Sequence, residues 1–269
     1  MEVKAVFFDI DGTLVNDSKS VLKSTKEAIK IVKEQGVLVG VATGRGPFFV
    51  KDLMDDLDLD FAVTYNGQYI FNKDRVLFAS PIDKRSLRQI ISYAKKNRKE
   101  IAMGTRQDVV GSRIMSFGLS PLSQLVSRFV PKFLTRTVSH SFNRMVSKAL
   151  PQKEDDLLDL INQPIYQVLM LMTPEETNHA AEELNNLKFT RSNPFAADII
   201  NQGNSKLEGI RRVGKEYGFE LNQVMAFGDS DNDLEMLAGV GMSVAMGNGS
   251  SSVKEVAKHI TTSNQNDGI

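Results

Sequence analysis

The sequence contains no cysteine. That absence removes disulfides, thiolate metal ligands and thiol nucleophiles together, argues against redox chemistry, and makes a reducing cytoplasm the expected compartment. Net charge is missing too: 33 Lys and Arg balance 33 Asp and Glu, so no global field recommends nucleic acid or an anionic membrane as partner. Nor is there a long hydrophobic run. The first twelve residues carry one short apolar stretch, broken at Asp9, which fits neither a secretory signal nor a membrane span. Internal repeats and low-complexity tracts are absent as well. What is present is apolar side chain, 41% of 269 residues, enough for one large domain or a core domain carrying an insertion.

Short apolar runs at 5–8, 37–42, 61–65, 224–227 and 243–246 end in small or polar residues and read as buried parallel strands. Between them lie helical patterns such as 24–35, where Thr25, Ala28, Ile29 and Val32 share a face and Gly36 suits the C-terminal cap. Strand alternating with helix predicts a doubly wound α/β fold, in which ligands bind just beyond the carboxyl ends of the strands. From about 83 to 191 the pattern changes. Strands are expected at 100–105 and 166–173, a helix at 174–187, and at least two helices between 122 and 150, separated by Pro131. This reads as an inserted second domain. No acidic residue occurs from 109 to 153, whereas Arg113, Arg128, Lys132, Arg136, Arg144, Lys148 and Lys153 do; these are read as solvated helix faces, with arginines lining a cleft as the sharper alternative and a membrane-surface helix, opposed by Pro131, as a third. The polar residues 262–269 are expected to be weakly ordered.

The chemistry concentrates at strand ends. Asp9 and Asp11, followed by Gly12 and Thr13, stand where the first strand emerges. The second strand runs into Thr43, Gly44 and Arg45, a hydroxyl and backbone N–H groups suited to phosphate oxygens. Lys206 heads a helical pattern, and Asp229, Asp231, Asn232 and Asp233 follow the strand at 224–227. Each segment alone admits a plainer reading: an Asp-Gly turn, a threonine helix cap, a solvated lysine. Two acidic clusters on one sheet must however converge, and hard oxygen ligands without the spacing of a calcium loop suit Mg²⁺. Lys206 would offset their repulsion.

Taken in order, the four segments resemble the four motifs of the haloacid dehalogenase superfamily. The insert after Tyr65-Asn66-Gly67 resembles the large α/β cap of its Cof-type, subclass IIB members, giving a core of 1–82 and 192–269 and a cap of 83–191. The resemblance implies a phosphatase acting on small phosphate monoesters, sugar phosphates first, with Asp9 as nucleophile and Asp11 as acid and base. It further implies Mg²⁺ on Asp9, the backbone carbonyl of Asp11 and Asp229, with Asp233 behind these ligands, and phosphate held by Thr43, Gly44, Lys206 and Asn232. A phosphohexose mutase on the same core is the nearest alternative. A phosphate-sensing module without turnover is the alternative from another class, opposed by Asp11, which such a module would not need.

Overall fold

The computed structural model describes residues 2–111 and 154–269. The basic stretch and the helices expected between 113 and 153 lie outside the described residues. The chain divides into two compact units: residues up to Ser80 with Thr190–Ser192 and Gly203–Ile269, and Pro81–Phe189 with Asn193–Gln202.

The first unit is built on β1 (Ala5–Phe8), β2 (Leu38–Ala42), β3 (Phe61–Thr64), β4 (Tyr69–Asn72) and β5 (Val76–Ala79). Further along the chain it adds β11 (Val224–Gly228), β12 (Met242–Ala245) and β13 (His259–Ile260). Their order is β13-β12-β11-β1-β2-β3-β4-β5, parallel from β13 to β3 and antiparallel beyond. Because β1 lies between β11 and β2, the winding reverses at β1, and the crevice that reversal opens lies at its carboxyl end. Side chains alternate across β1. Val6 and Phe8 pack with Ile29 of α1 (Lys23–Glu34) and with Val50 and Met54 of α2 (Pro47–Asp56). Ala5 and Phe7 pack with Leu207, Ile210 and Val213 of α6 (Lys206–Tyr217) and with Met236 of α7 (Leu234–Gly239). Helices therefore cover both faces, which is the doubly wound arrangement expected. A last helix, α8 (Ser251–Val256), packs Val253 against Leu237 and Ala245.

The second unit is built on a sheet ordered β7-β6-β8-β10-β9, antiparallel from β7 to β10. Its strands are β6 (Ile101–Gly104), β7 (Val109–Gly111), β8 (Gln167–Leu171), β9 (Leu187–Thr190) and β10 (Ala196–Asn201). Among the described residues, helices α3 (Lys84–Lys96), α4 (Glu154–Leu160) and α5 (Pro174–Glu183) share one apolar cluster with it, including Ile90, Ile91, Leu157, Met103, Met170 and Ile199. Asp83 caps α3 by accepting from the backbone of Arg85 and Ser86, and a Thr173–Glu176 capping box opens α5. Two boundaries differ from expectation. Helix α5 ends at Glu183, not 187, because Leu187 already belongs to β9. The chain rejoins the first unit for good at Gly203, not 192, because β10 pairs with β8.

Residues 262–269 are held, contrary to the expectation of weak order. Asn264 Nδ2 donates to the Val15 carbonyl at 2.9 Å, Asp267 accepts from the Ser24 hydroxyl, and Ile269 packs on the core beside α1 and α2. Their amide and carboxylate side chains make hydrogen bonds to the protein where composition alone read solvation. Among the described residues no helix is long and apolar enough to cross a membrane.

Candidate active site

Asp9 directly follows β1, and its N–H continues the ladder to the carbonyl of Phe227 on β11 at 3.0 Å. The chain then turns sharply. Leu14 N–H bonds back to the Asp9 carbonyl and Val15 N–H to that of Ile10, both at 3.1 Å. Gly12 has φ +84°, and a Cβ there would stand 2.4 Å from Asp229 Oδ2. Only glycine suits both the backbone angle and the closeness of that carboxylate. The loop is pinned from outside by Asn248 Nδ2, which donates to the Gly12 carbonyl at 2.8 Å.

Asp229 follows β11. Its Oδ1 accepts from Thr13 Oγ1 at 2.9 Å and its Oδ2 from Ser230 Oγ at 3.0 Å. Asp233 closes the short helical turn Asp231–Asp233, where its Oδ2 accepts from the N–H groups of Asp229 and Ser230 at 3.0 and 3.1 Å. Carboxylate oxygens of Asp9, Asp229 and Asp233 lie within 4.8 Å of one another. Lys206, the first residue of α6 and 1% exposed, puts Nζ at 2.6 Å from Asp9 Oδ1 and 2.6 Å from Asp233 Oδ1. The two acidic segments thus converge around the one lysine.

The charge does not balance. Three carboxylates against one ammonium leave two uncompensated negative charges in a largely buried place. Burial pushes Asp9 well above the ordinary carboxylate value against the opposing pull of Lys206, with repulsion from Asp233, Asp229 and Asp11 adding to the effect of burial. Burial and Asp233 likewise push Asp229 to about 6. Hard oxygen donors carrying a twofold charge deficit are what Mg²⁺ requires, so the residues present fit that ion. Without metal, the folded chain binds protons at these carboxylates more tightly than the unfolded chain does. Stability therefore falls as pH rises from the ordinary value of 3.8 through about 6. Thermal melts in EDTA should show a lower Tm at pH 7.5 than at pH 5, with the gap narrowed in Asp229→Asn; an equal gap in the variant would contradict the assignment.

Asp11 faces elsewhere. Arg45 grips it with Nε on Oδ2 and Nη2 on Oδ1 at 2.5 and 2.6 Å, and Lys19 Nζ adds a bond to Oδ1 at 2.8 Å. Burial would raise its pKa, but the Arg45 hydrogen bonds and the charges of Arg45 and Lys19 hold it at about 2. Sequence reasoning gave Lys19 no role. It sits in an exposed polar loop and reaches the site from a left-handed backbone (φ 60°) that its sequence does not advertise. Thr43, buried, directly follows β2, and its Oγ1 accepts from Arg45 N–H at 3.1 Å. It is not the cap of α2, whose N-cap is Gly46. Gly44 lies between them in the same loop. Asn232 sits on the turn between Asp229 and Asp233, and its Nδ2 reaches Asn66 Oδ1 at 3.4 Å. Every site residue expected from sequence belongs to the first unit, at the carboxyl ends of β1, β2 and β11 or the head of α6.

Comparison with known proteins gives the same answer along the whole length. The chain is 28% identical over 269 residues to YkrA of Bacillus subtilis, covering 100% of this chain and 96% of that one. A Geobacillus kaustophilus protein of solved structure is 32% identical, with 99% and 95% of the two chains covered and a TM-score of 0.74. The solved structure of a subclass IIB sugar phosphatase is 25% identical, with 99% and 96% covered and a TM-score of 0.78. The family profile of the haloacid dehalogenase-like hydrolases matches residues 6–269. With four acidic, hydroxyl and lysine segments brought to one crevice in the order that family uses, the chain belongs to the haloacid dehalogenase-like hydrolases.

Proposed function

We propose that this hydrolase is a Mg²⁺-dependent phosphatase of small phosphate monoesters, working through an aspartyl-phosphate on Asp9. The observation that carries the reading is the buried cluster of Asp9, Asp229 and Asp233 around Lys206, a charge deficit placed where the sheet's winding reverses. A phosphate monoester dianion repels nucleophiles, so its hydrolysis needs neutralisation and alignment more than covalent ingenuity. Asp9, Asp229 and the backbone carbonyl of Asp11 would hold Mg²⁺, with Asp233 orienting the Asp229 loop from behind through the N–H groups it accepts. When bound, the ion neutralises the phosphoryl group and the carboxylates that surround it.

In the first step Asp9 attacks phosphorus, the bond to the leaving oxygen breaks, and Asp11 gives that oxygen a proton. In the second, water attacks phosphorus, its proton passes to Asp11, and the bond to Asp9 breaks to release inorganic phosphate. Asp11 rests ionised between Arg45 and Lys19, the form the second step uses; protonating a leaving group requires those two cations to let go. Thr43, Gly44, Lys206 and Asn232 would grip the phosphoryl oxygens. Sugar phosphates lead as substrates because a subclass IIB sugar phosphatase is a structural relative over almost the whole chain.

A panel of phosphate esters with Mg²⁺ is the test. Release of inorganic phosphate that EDTA stops and Mg²⁺ restores is the expected result. Activity indifferent to chelation would overturn the metal role, and conversion of a sugar 1-phosphate into a 6-phosphate would replace hydrolase by mutase.

A further inference from the structure

Asn66 belongs to the turn Tyr65–Gly67 after β3, is 2% exposed, and adopts a left-handed backbone with φ 52° and ψ 41°. The turn seizes the loop that carries Thr43: Asn66 N–H donates to the Thr43 carbonyl and Tyr65 N–H to that of Arg45, each at 3.0 Å. It also lies flat on the residue before Lys206. A Cβ on Gly67 would stand 2.2 Å from the Ser205 carbonyl oxygen. Arg212 of α6 fastens this side, donating to the Gly67 carbonyl at 3.2 Å and Asn204 Oδ1 at 2.7 Å while its guanidinium stands 4.0 Å from the Phe78 ring centroid. The third contact is through the side chain, where Asn66 Oδ1 accepts from Asn232 Nδ2 at 3.4 Å. One turn therefore touches the segments of Thr43, Lys206 and Asn232.

The far end of Asn232 is the telling atom. Asn232 Oδ1 is buried and, among the described residues, has no hydrogen-bond partner, a desolvated group of the sort that a bound ligand relieves. A phosphoryl oxygen accepts but cannot donate. To meet one at the end where Oδ1 now stands, the Asn232 amide must turn its Nδ2 to the ligand and its Oδ1 to Asn66. A carboxamide at position 66 serves both settings, accepting from Nδ2 in the first and donating its own Nδ2 to Oδ1 in the second. We infer that Asn66 is a positioning residue that sets the Asn232 amide for phosphoryl binding, while its backbone ties that amide to the Thr43 loop. The inference rests on the phosphate-binding reading of Asn232 made above.

Asn66→Gly tests it cleanly, because glycine accepts the left-handed backbone and deletes only the carboxamide. Titration calorimetry of inorganic phosphate into the full chain with Mg²⁺ reads binding without turnover. We expect Asn66→Gly to weaken phosphate about tenfold with little change in Tm. Asn232→Ala should weaken phosphate at least as much, and the double variant no more than Asn232→Ala alone, since the first residue acts through the second. Wild-type affinity in Asn66→Gly, or losses that add in the double variant, would overturn the inference while leaving Asn232 as a ligand. Wild-type affinity in Asn232→Ala would overturn the ligand reading and this inference with it.

Discussion

Asp9→Asn should abolish turnover, by at least about 10⁴-fold in kcat, while leaving the fold in place. Asparagine has almost the volume of aspartate, so the 5%-exposed site closes over it without a cavity. Lys206 keeps Asp233 as its ionic partner, and Asn Oδ1 can still accept from Nζ. What disappears is the proposed nucleophile, along with one of three carboxylates crowded into a charge deficit. Metal-free Asp9→Asn should therefore melt no lower than the metal-free parent at neutral pH, since the group it replaces is pushed well above its ordinary pKa by burial and by its acidic neighbours. Phosphate release and thermal melts, each with Mg²⁺ and with EDTA, check both halves. Near-normal turnover would end the assignment of Asp9.

Lys206→Met should do the reverse and cost stability first. The ammonium is buried between two buried carboxylates at 2.6 Å from each. Methionine fills the space of the stem but leaves those carboxylates facing each other unneutralised, a change worth about 3–5 kcal/mol where one partner of a buried pair is removed. The loss should be largest in EDTA at pH 7.5. It should shrink at pH 5, where Asp9 takes up a proton more readily, and shrink again with Mg²⁺, which restores positive charge. An unchanged Tm in EDTA at pH 7.5 would mean that the lysine does not compensate the cluster. Activity should fall as well, because Lys206 is one of the groups proposed to hold the phosphoryl oxygens.

These two substitutions act on residues 197 positions apart that form one ion pair, and each was legible in the sequence for its own reason. In a parallel sheet an apolar run that stops abruptly at Asp9, or at Gly228 and Asp229, marks a strand end, and strand ends share one edge of the fold. The same logic found Thr43, and the helix pattern after Lys206 found its head. The sequence was silent on what lies sideways to the strands. Lys19 reaches Asp11 from a polar loop with no period, and Asn66 meets Asn232 only because two turns are stacked by the sheet. The hairpin of β4 and β5 escaped notice because its register shifts between Ile70 and Phe71, so no strict alternation runs through it. Strand β10 carries Asp198 in mid-strand, which breaks the apolar run that would have announced it. Helix α5 stops at Glu183 with neither glycine nor proline to mark the place.

The tie from Asn264 to the Val15 carbonyl spans 249 positions of sequence, and Thr13 waits across 216 positions for Asp229. Lys206 reaches Asp9 across 197 positions, so three of the contacts that shape the Asp9 loop are among the most distant in sequence, whereas Arg45 and Lys19 reach Asp11 from nearby. The pocket around Asp9 therefore forms only when β11 and α6 dock beside β1, which makes its assembly a step of high contact order in folding.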